Sequence, residues 1–204
     1  MSNTNKIVNY AEKYFERNKN IKDLVTNPTI YLKKLLKNEK IETICEVGCF
    51  TGIQLNYLCN ELNCEGIGID ASEKSILKAK KKYKNILFEQ GVSTNLELED
   101  DSIDLLCFGF YIYILSDKDY NKSIEQAKKK LKKGKFFYIF DFDSISKKKC
   151  KHDNNINITK RDHSCIKGFK LLEKKTYYEV FNTESKFSYT NEENRMSLWL
   201  FKKL

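Results

Sequence analysis

The chain has 204 residues, enough for one domain with a sizeable core, and its 41% hydrophobic residues exclude an intrinsically disordered protein. No apolar run reaches the ~17 residues that a membrane-spanning helix needs, so no membrane span is predicted. The net charge of +9 raises the question of nucleic-acid binding.

The residue types behind this charge do not favour nucleic acid. Arginine, the better residue for bidentate phosphate contacts, occurs only at Arg17, Arg161 and Arg195. The lysine runs at 78–84 and 128–135 fall on predicted helices or at their ends, where a solvated face is expected. Nucleic acid therefore stays an unfavoured partner.

Seven cysteines cannot all pair, which is typical of reduced thiols rather than a disulfide framework. Cys45 with Cys49 and Cys59 with Cys64 come nearest to metal-ligand spacing, but neither pair has the C-x2-C form, so no metal site is predicted. The N-terminus lacks the basic and apolar regions of a secretion signal, and a cytoplasmic location is expected.

The chain is predicted to open with a helical cap over residues 1–38. Apolar side chains recur there at three-to-four spacing and form one stripe: Ile7, Tyr10, Ala11, Tyr14 and Phe15. The segment Thr26-Asn27-Pro28 interrupts the helix, because proline restrains the residue before it and commonly opens a new helix, here over 29–36.

From Ile41 the pattern changes to strands alternating with helices, over residues 39–145. Short apolar strands are predicted at 41–47, 64–69, 86–89, 103–108 and 136–140, with helices at 54–62 and 75–83. A further helix is predicted to end at 128–131, with Lys132-Lys133-Gly134 as its stop. This alternation indicates a parallel sheet covered by helices.

The last third, residues 146–204, is predicted to cover the substrate and to complete the sheet. After a lysine-rich link at 147–157, strands are expected at 171–181 and 196–201, joined through the polar segment 182–194. The predicted fold is therefore α/β and Rossmann-like, with a seven-stranded, mostly parallel sheet, helices on both faces and a C-terminal antiparallel strand pair.

The most informative motif is Glu46-Val-Gly48-Cys-Phe-Thr-Gly52, an apolar strand that runs through a glycine turn into a helix. Positions 50 and 53 are Phe50 and Ile53, so the G-x-G-x-x-G turn that binds a pyrophosphate is absent. The second predicted strand ends at Asp70, placed to accept both hydroxyls of a ribose. The two features predict a nucleoside ligand without a diphosphate.

These residues resemble motif I and the acidic loop of the class I S-adenosylmethionine-dependent methyltransferases. The resemblance continues through Phe88-Glu-Gln-Gly91, Asp100-Asp-Ser-Ile-Asp104 and Leu131-Lys-Lys-Gly134, and covers residues 41–144. It implies methyl transfer from S-adenosylmethionine. The chain departs from the family at Val92, where an acidic residue is usual, so the backbone of Val92 and Ser93 is expected to meet the adenine.

By this resemblance Glu46 is expected to engage the amino group of the cofactor, and Asp70 its ribose. The full set of residues expected at the cofactor is Glu46, Gly48, Cys49, Phe50, Thr51, Gly52, Asp70, Ala71, Gly91, Val92, Ser93 and Phe108.

A narrower resemblance concerns the acceptor side. Phe108-Gly-Phe-Tyr111-Ile-Tyr113, Asp141-Phe-Asp143 and His152 are similar to a bacterial subgroup often found with surface-sugar biosynthesis. His152 is the expected general base, with a plain loop residue as the alternative. Asp143 is expected to meet the substrate and Asp141 to bond the neighbouring loop. Tyr111 and Tyr113 are expected to share one face, where they either line the pocket or simply pack.

The favoured hypothesis is methyl transfer to O or N of a small molecule, a sugar or sugar nucleotide among the candidates, by a monomer or homodimer. The alternatives are an RNA or protein methyltransferase that docks through lysines, and a non-catalytic S-adenosylmethionine-binding protein.

Overall fold

The computed structural model describes residues 3–20, 24–152, 156–178 and 195–204, and the side chains of these residues except Asn3, His152 and Ile156. Within these ranges the helices are α1 (Asn3–Asn18), α2 (Asn27–Leu36), α3 (Ile53–Leu62), α4 (Glu73–Lys82) and α5 (Asp117–Lys130), with a short 3-10 helix at Ile112–Ile114. The strands are β1 (Thr43–Val47), β2 (Glu65–Asp70), β3 (Leu87–Gln90), β4 (Ile103–Gly109), β5 (Leu131–Phe142), β6 (Lys148–His152), β7 (Ile156–Lys160), β8 (Phe169–Tyr177) and β9 (Met196–Lys203).

Seven strands form one sheet in the order β3-β2-β1-β4-β5-β9-β8. Strands β3, β2, β1, β4 and β5 pair in parallel, while β9 is antiparallel to both β5 and β8. The predicted fold class is confirmed, including the C-terminal antiparallel pair. No helix of the described part of the chain is long and apolar enough to cross a membrane.

The sheet separates two hydrophobic clusters, because successive strand residues point to opposite faces. On β1, Ile44 packs into the cluster with α2, α3 and α4, whereas Cys45 packs into the cluster with α5. On β9, the fully buried Trp199 lies in the α5-side cluster, where it meets His163 edge-on at 4.7 Å between ring centroids. The face with α3 and α4 is called here the α3 face.

Helix α2 begins where proline predicts it. The Thr26 hydroxyl accepts a hydrogen bond from the backbone N–H of Thr29, and Pro28 stands in the first turn, where its missing N–H costs nothing. Helix α1 packs next to α4, with Glu16 paired to Lys74. Helix α1 thus lies against α4.

Two predicted boundaries are wrong. Helix α5 ends at Lys130, within the predicted 128–131, but Leu131 already has extended backbone angles, so β5 starts before the predicted stop at Gly134 and before residue 136. Gly134 instead sits inside β5 at φ +75°, where the pairing with β4 shifts register. The predicted link at 147–157 contains most of the β6–β7 hairpin. The predicted segment 182–194 lies outside the described residues.

Candidate active site

A cavity of about 330 Å³ lies at the carboxyl ends of β1, β2, β4 and β5 and is covered by α1. Parallel α/β sheets place ligand sites at this edge, because loops diverge there. Most of the residues predicted to meet the cofactor line it: Glu46, Gly48, Cys49, Phe50, Thr51, Asp70, Ala71, Gly91, Val92 and Ser93. Tyr113 lines it as well.

The glycines of the first turn are required by close packing. Gly48 has φ +76°, and a Cβ there would lie 2.5 Å from Cδ1 of Tyr111. Gly52 has φ +79°, and its Cβ would lie 2.6 Å from Cζ of Phe88. Gly52 is absent from the cavity lining. Gly52 therefore allows the turn to pack against Phe88. Gly48, in contrast, lines the cavity.

Two phenylalanines occupy the left-handed backbone region at this edge. Phe50 follows β1 with φ +50°, and Phe110 follows β4 with φ +49°, and both line the cavity. Such a conformation costs a non-glycine residue ~1–2 kcal/mol, and strain of this kind clusters at functional sites. The hydrogen bond from Phe110 N–H to the Phe140 carbonyl, at 2.9 Å, helps hold the second turn.

Asp70 is fixed at the end of β2 by backbone donors. Its Oδ2 accepts from Phe50 N–H and its Oδ1 from Ser72 N–H, each at 2.8 Å. Burial raises the pKa of Asp70 to about 6, while these two amides oppose the rise. Each carboxylate oxygen has a second lone pair, so Asp70 can still accept hydrogen bonds from a ligand in the cavity.

Glu46 is the second acid of the cavity, on the α3 face of β1. Its side chain is buried, and Oε2 has no hydrogen-bond partner among the described residues. Burial raises the pKa of Glu46 to about 8, opposed by the backbone N–H of Leu55. A buried acceptor without a partner is costly, so a ligand that brings an ammonium donor fits this position.

The turn after β3 offers backbone rather than side chains. Gly91 N–H donates to the Asp70 carbonyl at 3.0 Å, and Ser93 Oγ lies 2.8 Å from Ser123 Oγ on α5. Since the Ser123 hydroxyl donates to the Asp119 carbonyl, the Ser93 hydroxyl is the donor in that pair. The Ser93 side chain is thereby directed to α5.

The opposite end of the cavity is aromatic. Its rings come from α1, from the turn after β4 and from β5: Tyr10, Tyr14, Phe110, Tyr113, Tyr138 and Phe140. The Tyr10 and Tyr113 hydroxyls lie 2.8 Å apart. Apart from Tyr113, sequence analysis did not place these residues at the site. Alternation along β5 was the available signal, since Tyr138 and Phe140 share the α3 face.

Three predicted positions need correction. Phe108 is fully buried in the α5-side cluster, 5.0 Å from the Phe137 ring, and is not part of the cavity lining. Tyr111 and Tyr113 do not share a face, because the chain leaves β4 before them: Tyr111 packs with the α5-side cluster and Tyr113 with the α3-face cluster. Both nevertheless line the cavity.

Asp143 is the third correction. Its carboxylate accepts from the Ser197 hydroxyl at 2.9 Å and pairs with Lys174 at 3.2 Å and Arg195 at 3.4 Å. Asp143 is not among the residues that line the cavity, and Asp141, two residues before it, bonds the N–H of Phe142. The Asp143 ion pairs tie β5 to β8 and β9.

His152 is the last residue of β6, and its side chain lies outside what the structure describes. Its role as the general base stays a prediction. Among the described residues no group of three or more His, Cys, Asp or Glu side chains could hold a metal ion.

Comparison with known proteins bears on these features. Residues 44–134 match the family described as a methyltransferase domain. The chain is 30% identical over 125 residues to the ubiquinone/menaquinone biosynthesis C-methyltransferase of Campylobacter jejuni, covering 58% of this chain and 50% of that relative. The chain spans half or less of the length of the curated relatives that it matches first.

Solved structures share the fold across nearly the whole chain. A Haloferax volcanii chain solved in complex with the Trm112 methyltransferase activator has a TM-score of 0.70 and 17% identity, and the match covers 97% of each chain. An S-adenosylmethionine-dependent methyltransferase from Methanosarcina mazei has a TM-score of 0.64 and 14% identity, and the match covers 89% of this chain and 99% of that one.

Proposed function

We propose that the chain is a class I S-adenosylmethionine-dependent methyltransferase, and that it transfers a methyl group from S-adenosylmethionine to a small molecule held in the cavity at the carboxyl edge of the sheet. The observation that carries the proposal is the pair Glu46 and Asp70. Two buried acids end adjacent strands and line the same cavity, one with an unpartnered oxygen.

The residues present fit this cofactor. Glu46 would accept from its ammonium group, Asp70 from its ribose hydroxyls, and the backbone of Val92 and Ser93 would meet its adenine. Gly48 leaves the first turn without a side chain toward the ligand. When bound, the cofactor supplies an electrophilic methyl group on a sulfonium, so the protein needs chiefly to align the acceptor and exclude water.

The protein supplies that alignment with α1 and the aromatic end of the cavity. Helix α1 places Tyr10 and Tyr14 over the opening, where they contact Tyr113 and Phe50. Burial holds the pKa of Tyr113 well above its usual range, so its hydroxyl stays neutral and serves as a hydrogen-bonding group rather than a base. Proton removal from a hydroxyl or amine acceptor falls to His152 under the sequence prediction.

Calorimetric titration tests the proposal. The purified chain is titrated with S-adenosylmethionine, S-adenosylhomocysteine and NAD, and we expect the first two to bind and NAD not to bind. Glu46→Gln is expected to weaken binding at least tenfold, which corresponds to a loss of ~1.4 kcal/mol. Glu42→Gln, an exposed glutamate just before β1, is the control and should bind as the wild type does.

Binding of NAD, or of none of the three, would reject the proposal. Cofactor binding without turnover on any acceptor, in an assay with radiolabelled methyl groups, would instead favour the non-catalytic hypothesis.

A further inference from the structure

The aromatic end of the cavity is built from rings in contact with one another. Phe110 lies 5.3 Å from Tyr113 and 5.4 Å from Phe140 between ring centroids, and Tyr10 lies 6.4 Å from Tyr113. Tyr14 continues the series to Phe50, at 5.6 Å. These spacings fall within the range of favourable aromatic pairs. The rings form a continuous aromatic wall, called here the ring wall, from the first turn to β5.

The cavity lining contrasts with the chain as a whole in its charge. The net charge is +9, yet the described residues that line the cavity include no lysine, arginine or histidine. The charged side chains among them are Glu46 and Asp70, both acids. A phosphate, diphosphate or carboxylate on the acceptor would find no lysine, arginine or histidine countercharge on these residues, and burying an unpaired charge costs free energy.

The ring wall carries three hydroxyls, those of Tyr10, Tyr14 and Tyr113. The Tyr10 and Tyr113 hydroxyls bond each other, and one hydrogen lies between them. A pair of hydroxyls linked in this way retains one free hydrogen and free lone pairs, so it can donate one further hydrogen bond and accept others. A sugar presents several hydroxyls, and burying them against rings without partners is unfavourable.

We propose that the acceptor is an uncharged aromatic molecule with a hydroxyl or carbonyl group, whose ring packs on the ring wall and whose polar atom bonds the Tyr10–Tyr113 pair. This inference rests on the proposed methyltransferase function and narrows its substrate class. Phe110 and Phe140 supply the stacking surface. The left-handed backbone at Phe110 keeps its ring in the cavity at a cost that a purely structural turn could avoid with glycine.

The acceptor class is tested by calorimetry on the protein saturated with S-adenosylhomocysteine. The probes are 1-naphthol and indole as neutral aromatic molecules, methyl glucoside as a neutral sugar, and uridine diphosphate glucose as an anionic sugar nucleotide. We expect at least one aromatic probe to bind ten times more tightly than either sugar. Equal or tighter binding of a sugar probe, or no binding of either aromatic probe, would overturn the inference.

Variants on one strand show whether the ring wall is responsible. Phe140→Leu removes a ring that lines the cavity, and Phe136→Leu removes a buried ring on the same face of β5 but outside the lining. Both changes remove a core ring, so their effects on thermal stability should be comparable. We expect Phe140→Leu to weaken aromatic-probe binding at least fivefold and Phe136→Leu to leave it within twofold.

Affinity for S-adenosylhomocysteine should stay within twofold in both variants. Equal weakening of probe binding in both variants would overturn the assignment of the ring wall. Failure of the wild type to bind S-adenosylhomocysteine would reject the proposed function itself, which separates the two hypotheses.

Discussion

The hydroxyl of Tyr10 on α1 lies 2.8 Å from the hydroxyl of Tyr113 in the turn after β4, so one hydrogen bond joins the N-terminal helix to the cavity edge. Near its other end, α1 is joined to α4 through Glu16 and Lys74, both about half exposed. Exposed ion pairs contribute little to stability. Ring contacts of Tyr14 and Phe15 with Phe50 add to the attachment of α1.

Tyr113→Phe should distinguish the contribution of the Tyr113 hydroxyl to ligand binding from that of its ring. The variant loses one hydrogen bond and keeps the aromatic contact, so the free energy of unfolding should fall by ~0.5–1.5 kcal/mol. Cofactor affinity should be unchanged, and affinity for a hydroxylated aromatic probe should fall. The control is Tyr31→Phe, which removes a hydroxyl bonded to Glu173 outside the cavity. Calorimetry would contradict this expectation if both variants bound the probe equally.

Glu46→Gln should change how stability depends on pH. The pKa of Glu46 rises from 4.5 to about 8 on folding, so the folded state favours the protonated acid. The wild type therefore loses stability, relative to the variant, as pH rises from 4.5 through about 8. Since each pKa unit corresponds to ~1.4 kcal/mol, the variant should be more stable by a few kcal/mol above pH 8.

Denaturant unfolding at several pH values measures this difference between Glu46→Gln and the wild type. A gap that stays constant across the range would show that Glu46 does not titrate as described. The same variant is expected to bind S-adenosylhomocysteine more weakly, so stability and binding should change in opposite directions.

Asp70→Ala should weaken cofactor binding at least tenfold, because it removes the acceptor of the ribose hydroxyls and releases the N–H of Phe50. Asp101→Ala, an exposed acid at the opposite edge of the sheet, serves as the control. Titration with S-adenosylhomocysteine gives both affinities. Unchanged binding in Asp70→Ala would show that Asp70 does not bind the cofactor.

Gly48→Ala and Gly134→Ala form a matched pair, because the two glycines have φ of +76° and +75°. At Gly134 the nearest atom to a new Cβ is Lys202 Cε at 3.9 Å, whereas at Gly48 the Tyr111 ring lies at 2.5 Å. In both variants the free energy of unfolding should fall by ~1–2 kcal/mol, because alanine is strained in the left-handed backbone region. In Gly48→Ala it should fall by ~1–3 kcal/mol more through overpacking. Equal losses of unfolding free energy in the two variants would show that the Tyr111 ring can move away from the new Cβ without loss of stability.

Asp143→Asn should act on stability rather than on the site. The variant removes the negative charge that Lys174 and Arg195 share, while Lys174 keeps its ion pair with Asp162 at 3.0 Å. Breaking a buried pair of this kind can cost ~3–5 kcal/mol, and the partial exposure of Lys174 reduces that figure. Cofactor affinity should stay within twofold. Loss of turnover with unchanged stability would show instead that Asp143 takes part in catalysis, as the sequence predicted.

The cofactor end of the site could be predicted because its signal is local. A strand, a glycine turn and a helix follow one another around Gly48, and Asp70 ends the next strand, so both acids reach one edge through the parallel topology alone. The division of the chain into cap, core and covering segment stays a prediction, as does the role of His152.

The features that the sequence did not predict depend on contacts between residues that are distant in sequence. The role of Asp143 is set by Lys174 and Ser197, which are 31 and 54 residues away. Strand β6 reads Lys-Lys-Cys-Lys-His, which lacks the apolar alternation that predicts a strand, and β7 supplies the pairing. The ring wall combines α1 with β5, and no local pattern shows that these two elements meet.

The position of Trp199 gives the molecule a spectroscopic asymmetry. The single tryptophan is buried in the α5-side cluster and does not line the cavity, whereas five of the twelve tyrosines do. Tryptophan emission therefore reports the pairing of β5 with β9 and the packing beneath it. Unfolding of this part of the sheet can be followed in the unmodified chain by one fluorophore that a ligand in the cavity does not touch.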